Sequence, residues 1–239
     1  MTVVLAIKCS DGIVLAADSQ ITDSARGLSY PAQKLHPLGD TAAWGGSGAR
    51  SALVDIKELF DGNASALLDG ENLGHALQER VLPVLRHHYA NFIEEVPGET
   101  GPGGTPATYV LVAGYREDGT PFIADIDPHG LVGRYEEVGF HAIGSGSAMA
   151  QQAGALLAHF RMTERDVDHG VLAAVRVLDA LRMTSPSVGG PIDVYRMTPD
   201  GARALAPQDI ERVRERVRRW EELEDKLLDE LWGEDPAPA

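Results

Sequence analysis

The stretch Met1-Thr2-Val3-Val4-Leu5-Ala6-Ile7-Lys8-Cys9-Ser10-Asp11-Gly12-Ile13-Val14-Leu15-Ala16-Ala17-Asp18 decides how the rest of the chain is read. Two apolar, β-branched runs, Val3 to Ile7 and Ile13 to Ala17, flank Asp11-Gly12. Asp-Gly between such runs is a strong hairpin signal, because the pair accepts the positive φ angles of a tight turn. The returning strand ends at Asp18, which the hairpin sets beside the start of the chain. Loss of Met1 would make Thr2 the N-terminus, carrying both a hydroxyl nucleophile and a free amine. Thr2 also suits a strand on propensity alone, so its role turns on what surrounds it.

Composition narrows the possibilities. The chain has 239 residues, 44% hydrophobic and 24% charged, which suits one globular domain. We divide it into a body over residues 1–206 and an acidic C-terminal helix and tail over 207–239. No run approaches the roughly 18 apolar residues of a membrane span. The N-terminus has no basic, apolar leader of the secretory kind. Cys9 is the sole cysteine, which excludes an internal disulfide and fits a reducing, cytoplasmic setting. The net charge of −15 argues against a nucleic-acid partner, whose phosphates it would repel.

Beyond the hairpin, Ser19 to Tyr30 reads as a loop with a short strand, and Lys34 to Leu38 as extended chain, with Pro37 restricting His36. Thr41 to Trp44 predicts a strand running into Gly45-Gly46-Ser47-Gly48. Helical spacing follows over Ala49–Phe60 and Asn72–Glu95, the second capped by Asn72 and interrupted by Pro83. The Gly- and Pro-rich segment 96–106 is a loop. Strands are expected at Ala107–Tyr115 and Pro121–Asp125, and over Leu131–Ile143 with a reversal near Val138-Gly139. Gly144 to Ser147 opens a helix to Phe160. Thr163 and Asp166 have capping-box spacing before a helix reaching Met183. A hairpin over Pro191–Ala206 precedes a final helix, Gln208–Trp232, with Ile210, Val213, Val217, Trp220, Leu227 and Leu231 as its apolar stripe. Strands grouped between helix pairs predict a four-layer αββα sandwich, two mainly antiparallel sheets flanked by helices.

Several residues along this frame carry chemistry. A carboxylate after Ala16-Ala17 is an odd choice unless it is paired. Lys34 is a candidate partner, although an edge-strand lysine also serves to block strand pairing. A cation beside Thr2 would lower the pKa of its hydroxyl and of an N-terminal ammonium, leaving the amine to take the hydroxyl proton. Gly45 to Gly48 stands where a strand gives way to a helix, so its N–H groups point outward and suit an oxyanion hole. The same glycines also permit close strand–helix packing. Ser145 is placed to bond an N-terminal amine, or to cap the helix after it. Adjacent His87 and His88 cannot share a metal, and an Asp-Pro turn explains Asp125, Asp127 and His129 more simply than a cation site. The phosphate-loop pattern G-x-x-x-x-G-K is missing.

The segment Thr2 to Ser19 resembles the start of a mature proteasome β subunit, in the proteasome-type N-terminal nucleophile (Ntn) hydrolase family. Counted from Thr2, Asp18, Lys34 and Gly48 fall at the offsets of that family's catalytic aspartate, lysine and oxyanion-hole glycine. Asp125 to Gly130 and Gly144 to Ser147 are also similar to family elements, and the likeness runs to about Arg203. It departs at Arg182-Met183-Thr184-Ser185-Pro186-Ser187-Val188-Gly189, where the family's Arg-Asp-x-x-Ser-Gly aspartate is missing and only Ser187 carries over. Ser187 to Asp193 is more similar to the bacterial proteasome-related branch.

The resemblance implies an Ntn-type fold and a cytoplasmic threonine peptidase, with Thr2, Asp18, Lys34, Gly48, Ser145 and Ser187 as its catalytic set. It implies no metal or organic cofactor. Unfolded polypeptides or peptides would be substrates of a ring-forming homo-oligomer, with a homologous second subunit or regulatory ATPase as possible partners. Two rivals stay open: a non-catalytic ring subunit that keeps Met1, and an Ntn amidase acting on a small amide. The final helix is the expected assembly element.

Overall fold

The structure is a computed structural model, describing residues 2–23, 28–69, 72–91, 107–185 and 188–233. In chain order these form β1 (Val4–Lys8), β2 (Ile13–Asp18), β3 (Gln20–Asp23), β4 (Leu28–Pro31), β5 (Leu35–Leu38) and β6 (Ala42–Ser47), then α1 (Arg50–Leu68) and α2 (Leu73–Asn91). Next come β7 (Tyr109–Tyr115), β8 (Pro121–Ile126), β9 (Val132–Arg134) and β10 (Phe140–Ile143), followed by α3 (Ser147–Leu157) and α4 (Val167–Thr184), joined through two 3-10 turns. The chain closes with β11 (Ile192–Thr198), β12 (Gly201–Ala204) and α5 (Pro207–Gly233).

One sheet has the order β10-β1-β2-β11-β12 and the other β5-β6-β7-β8-β9, with β3 and β4 a separate ribbon. All of their pairings are antiparallel. Side chains alternate across a strand, and β1 and β2 use both faces. Leu5, Ile7, Val14 and Ala16 pack on α4 through Val171, Ala174 and Leu178. Val4, Ala6, Ile13 and Leu15 face the second sheet at Leu111, Ala113 and Ile123. The outer face of that sheet, with Trp44, Val112 and Phe122, packs on Ile56, Phe60, Leu77 and Val81 of α1 and α2. Three apolar layers between four structural ones give the expected αββα sandwich.

The opening hairpin holds the register Val4↔Ala17 to Lys8↔Ile13, but its turn differs from expectation. Gly12 does not adopt a positive φ. A Cβ there would lie 2.7 Å from Met197 O and from the Val167 side chain, so crowding against α4 and β11 selects glycine. Asp11 turns outward and accepts the Val167 N–H at 2.7 Å, which helps to start α4. Asp166 is the true N-cap of α4 and accepts from His169 N–H, displacing the capping box expected from Thr163.

Leu131 to Ile143 is not one hairpin. β9 pairs with β8 in one sheet and β10 with β1 in the other. The turn at Gly139 (φ +77°) carries the chain across, and Lys8 N–H fixes it by donating to Gly139 O at 2.8 Å. Period-two patterning reports the faces of each strand but not the sheet it joins. Gly45, Gly46 and Ser47 belong to β6 rather than to a loop, and α1 runs on to Leu68. Asn72 caps α2 as expected, accepting from His75 N–H at 3.1 Å. The expected extension of α2 through Phe92 to Glu95, and the loop 96–106, lie outside the described residues.

Candidate active site

Asp18 ends β2 with its side chain fully buried. Oδ1 accepts the Val3 N–H at 2.9 Å and the Lys34 ammonium at 2.8 Å. Oδ2 accepts the Gln20 N–H at 3.2 Å and the Gly189 N–H at 3.3 Å. A carboxylate removed from water needs such donors, because an unpaired buried charge is costly. The segment 188–191 is laced to the same place, since Ser19 N–H donates to Gly189 O and Pro191 O, and Gln20 N–H to Gly189 O.

Lys34 stands just before β5 with its side chain 5% exposed. Besides Asp18, its ammonium donates to Gln20 O at 2.7 Å. Burial pulls its pKa below the ordinary lysine value of 10.5, while the Asp18 and Asp193 carboxylates pull the other way. Asp193, on β11 opposite Ala17, is half-buried. Burial raises its pKa, the Lys34 charge opposes that rise and Asp18 adds to it. Two carboxylates thus share the field of one ammonium.

Thr2 is half-buried. Its backbone N–H donates to Ser145 Oγ at 3.1 Å, and its carbonyl accepts the Gly146 N–H at 3.2 Å. Both partners sit in the turn between β10 and α3. Gly144 in this turn has φ +96°, and a Cβ on it would lie 2.2 Å from Thr2 O and 3.3 Å from Ser47 Oγ. Residues 144–146 therefore hold both backbone groups of Thr2 and lie beside Ser47 at the end of β6, which Gly48 follows. Gly48 has φ +124°, and a Cβ there would come within 2.5 Å of Thr108 Cα and 2.6 Å of Ala107 O. Only glycine fits. Thr108 Oγ1 accepts the Ala49 N–H at 3.2 Å, which ties the entry to α1.

Of the residues singled out in the sequence, the structure joins Asp18 and Lys34 directly and brings Ser145 to the Thr2 nitrogen. Ser145 does not cap α3: the residue before that helix is Gly146 and has no side-chain cap. Gly48 stands next to Ser47, whose hydroxyl lies against the Gly144 turn. Ser187 and Met1 lie outside the described residues. Sequence reasoning missed Asp193, Thr108 and the Gly189 N–H. Asp193 carried a signal in retrospect, as a carboxylate inside an apolar strand.

Asp125, Asp127 and His129 do not converge. Asp125 meets His141 Nε2 at 2.8 Å beneath a stacked Tyr135 ring. Asp127 Oδ1 accepts the N–H groups of His129 and Leu131 at 2.8 Å each, an Asx turn. Among the described residues no group of three or more His, Cys, Asp or Glu is placed to hold a metal ion, and no helix is long and apolar enough to cross a membrane. Cys9 is buried and its thiol is pushed up to about 12, chiefly by burial, which leaves it a poor nucleophile.

The family model described as "Proteasome subunit" matches residues 2–197. The chain belongs to the proteasome subunit family. Similar relatives are the proteasome subunit beta of Methanosarcina barkeri, 25% identical over 213 residues covering 89% of this chain and 93% of that one, and that of Archaeoglobus profundus, 28% identical over 219 residues covering 91% and 94%. Proteasome subunit beta 1 of Streptomyces avermitilis is 27% identical over 224 residues, covering 88% and 74%. Among solved structures, Anbu (ancestral beta-subunit) from Yersinia bercovieri superposes with a TM-score of 0.74 at 16% identity, covering 100% of this chain and 99% of that one. An Anbu (Gly-1) mutant from Hyphomicrobium sp. strain MC1 gives 0.73 at 18%, covering 100% of both chains. At those identities the likeness shows the fold alone.

Proposed function

We propose that this proteasome-family chain is a threonine-type endopeptidase subunit of a self-assembling, cytoplasmic complex, and that Thr2 becomes its nucleophile once Met1 is removed. The observation that carries the reading is the shared Asp18 carboxylate. One of its oxygens takes both the Val3 N–H, next to the nucleophile, and the Lys34 ammonium, while Ser145 meets the nitrogen that becomes the free amine.

In this mechanism the Thr2 amine, directly or through a water, takes the proton of Thr2 Oγ as that oxygen attacks the scissile carbonyl. The charged Lys34 lowers the energy of the developing alkoxide, and Asp18 holds Lys34 in place. The Gly48 N–H donates to the oxyanion of the tetrahedral intermediate. As the C–N bond breaks, the protonated amine returns its proton to the leaving amine, and an acyl ester remains on Thr2. Water, deprotonated by the same amine, adds to the ester carbonyl. Collapse then releases the new carboxylate and restores the Thr2 hydroxyl. Ser145 orients the amine throughout. The chain's own residues supply every proton transfer, and unfolded polypeptides or peptides are the substrates. By the family resemblance, Ser187 supports the amine.

The test pairs intact-mass measurement, which reads the loss of Met1, with peptide hydrolysis by wild-type protein and Thr2→Ala. A mass lacking Met1 together with hydrolysis abolished in the variant is expected. Undiminished hydrolysis in Thr2→Ala overturns the reading. The rival non-catalytic ring subunit draws support from the segment Arg182 to Gly189, where the family aspartate is missing and Met183 is 90% exposed. A mass that retains Met1 decides for that rival.

A further inference from the structure

Helix α5 outlasts the surface that it packs on. Its 27 residues span about 40 Å at ~1.5 Å per residue. Its first half is anchored. Ile210 and Val217 are buried, Trp220 meets Phe160 at 5.0 Å and lies under the Arg176 guanidinium at 3.9 Å, and Arg176 pairs with Glu224. From Asp225 onward every described residue is exposed. Leu223, Leu227, Leu228 and Leu231 are 54–61% exposed and Trp232 is 87% exposed. A contiguous apolar surface of this kind marks an interaction site rather than a solvated face.

Charge along α5 says what covers it. Residues 212–219 hold five arginines and one glutamate, whereas residues 221–230 hold six carboxylates and one lysine. One exposed stripe at helical spacing runs Arg212, Arg216, Arg219, Leu223, Leu227, Glu230. Laid parallel on itself it would set like charges together. Laid antiparallel and centred on Leu223, it sets Arg216 opposite Glu230, covers Leu227 with the aliphatic stem of Arg219, and buries the leucines between the charged ends.

We infer that α5 is a self-complementary docking surface, on which a second copy of this chain pairs antiparallel through the same helix. Such a contact is isologous, the same patch used by both subunits. It deepens the assembly part of the reading above and is independent of the chemistry assigned to Thr2.

The experiment uses the full chain in two charge-reversed forms, Arg212→Glu/Arg216→Glu/Arg219→Glu and Asp225→Lys/Asp229→Lys/Glu230→Lys, with particle mass read by light scattering. Each form alone is expected to fall to half of the wild-type mass, and an equal mixture to regain it, with both forms present in the recovered particle. A third variant, Leu223→Cys, carries the only accessible thiol, because Cys9 is buried. On mild oxidation it is expected to form a disulfide-linked dimer at least tenfold faster than a Met183→Cys control, although Met183 is the more open to solvent in the monomer, 90% exposed against 54% for Leu223. A multimer whose mass is unchanged in both charge-reversed forms overturns the pairing but leaves ring assembly standing. A monomeric wild type overturns both, and if that monomer cosediments with phospholipid vesicles the face belongs to a membrane surface instead.

Discussion

Asp18 and Lys34 form an ion pair of 2.8 Å in which the carboxylate is wholly buried and the ammonium side chain is 5% exposed. Neither charge has water to fall back on, so removing one strands the other. Lys34→Met is expected to destabilise the fold by about 3–5 kcal/mol, as breaking a buried pair does. Peptide hydrolysis should fall by about a hundredfold or more, as when an electrostatic stabiliser is lost. Urea denaturation and steady-state rates check the two effects separately. An unchanged denaturation midpoint would show that Asp18 finds another cation.

The same pair sets a pH dependence. The Thr2 amine acts as a base only when neutral, and the nearby Lys34 charge favours that form, so activity should rise through a pKa below the ordinary N-terminal value of about 7.7–8. Lys34 acts only when charged, and burial holds its pKa below 10.5, so the alkaline fall should lie below that value. The contribution of Lys34 to stability runs the opposite way. Between its depressed folded value and 10.5 the unfolded chain binds more protons, so this contribution grows with rising pH. Activity and unfolding free energy measured across the alkaline range should therefore diverge. An alkaline limb at or above 10.5 would remove Lys34 from the mechanism.

Gly144 and Gly48 separate fit from chemistry. Gly144→Ala puts a Cβ 2.2 Å from Thr2 O, and the turn must shift to relieve it. Loss of hydrolysis is expected together with a destabilisation of about 1–3 kcal/mol, typical of overpacking. Ser145→Ala removes only the hydroxyl that meets the Thr2 nitrogen. It should slow hydrolysis about tenfold while costing the fold no more than about 1 kcal/mol, the net contribution of one exposed hydrogen bond. Thermal unfolding beside rate measurements distinguishes the two variants.

Asp11 provides a control away from the chemistry. Asp11→Ala removes the acceptor of the Val167 N–H at the start of α4. The expected result is a loss of about 1 kcal/mol of stability, in the range of helix caps, with kcat unchanged. A variant that loses activity at full stability would link the hairpin turn to the site in a way that its geometry does not predict.

Cys9 should resist a chromogenic disulfide reagent in the native protein and react only on unfolding. Its thiol is buried and pushed up to about 12. Titration with and without denaturant checks this, and modification should track the unfolding transition. Fast reaction of the native protein would mean that β1 opens locally.

The site was legible in the sequence as far as it is built from the N-terminal strands. A hairpin that returns to its origin puts Asp18 beside residue 3 whatever else the chain does, and Lys34 answers a carboxylate that would otherwise be unpaired. The αββα layering followed from strands grouped between helix pairs. What could not be read were long-range choices. β9 and β10 look like one hairpin because alternation records faces, not neighbours. Gly12 looks like a turn residue because its crowding by Val167 and Met197 comes from distant elements. Asp193 and the Gly189 N–H reach the site through β11, whose place beside β2 is fixed by topology alone. The open end of α5 was hidden because an apolar stripe at helical spacing does not say where the supporting surface stops.

The turn that clamps Thr2 comes from residues 144–146, and the N–H that completes the Asp18 shell comes from Gly189. A chain emerging from synthesis carries its proposed nucleophile first and the residues that hold it much later. Until β10 and β11 have both docked, Thr2 lacks the turn that holds its backbone and Asp18 lacks one of its donors. Contacts this remote in sequence carry a large loop-closure cost, so on the proposed mechanism the site is complete only when the fold is.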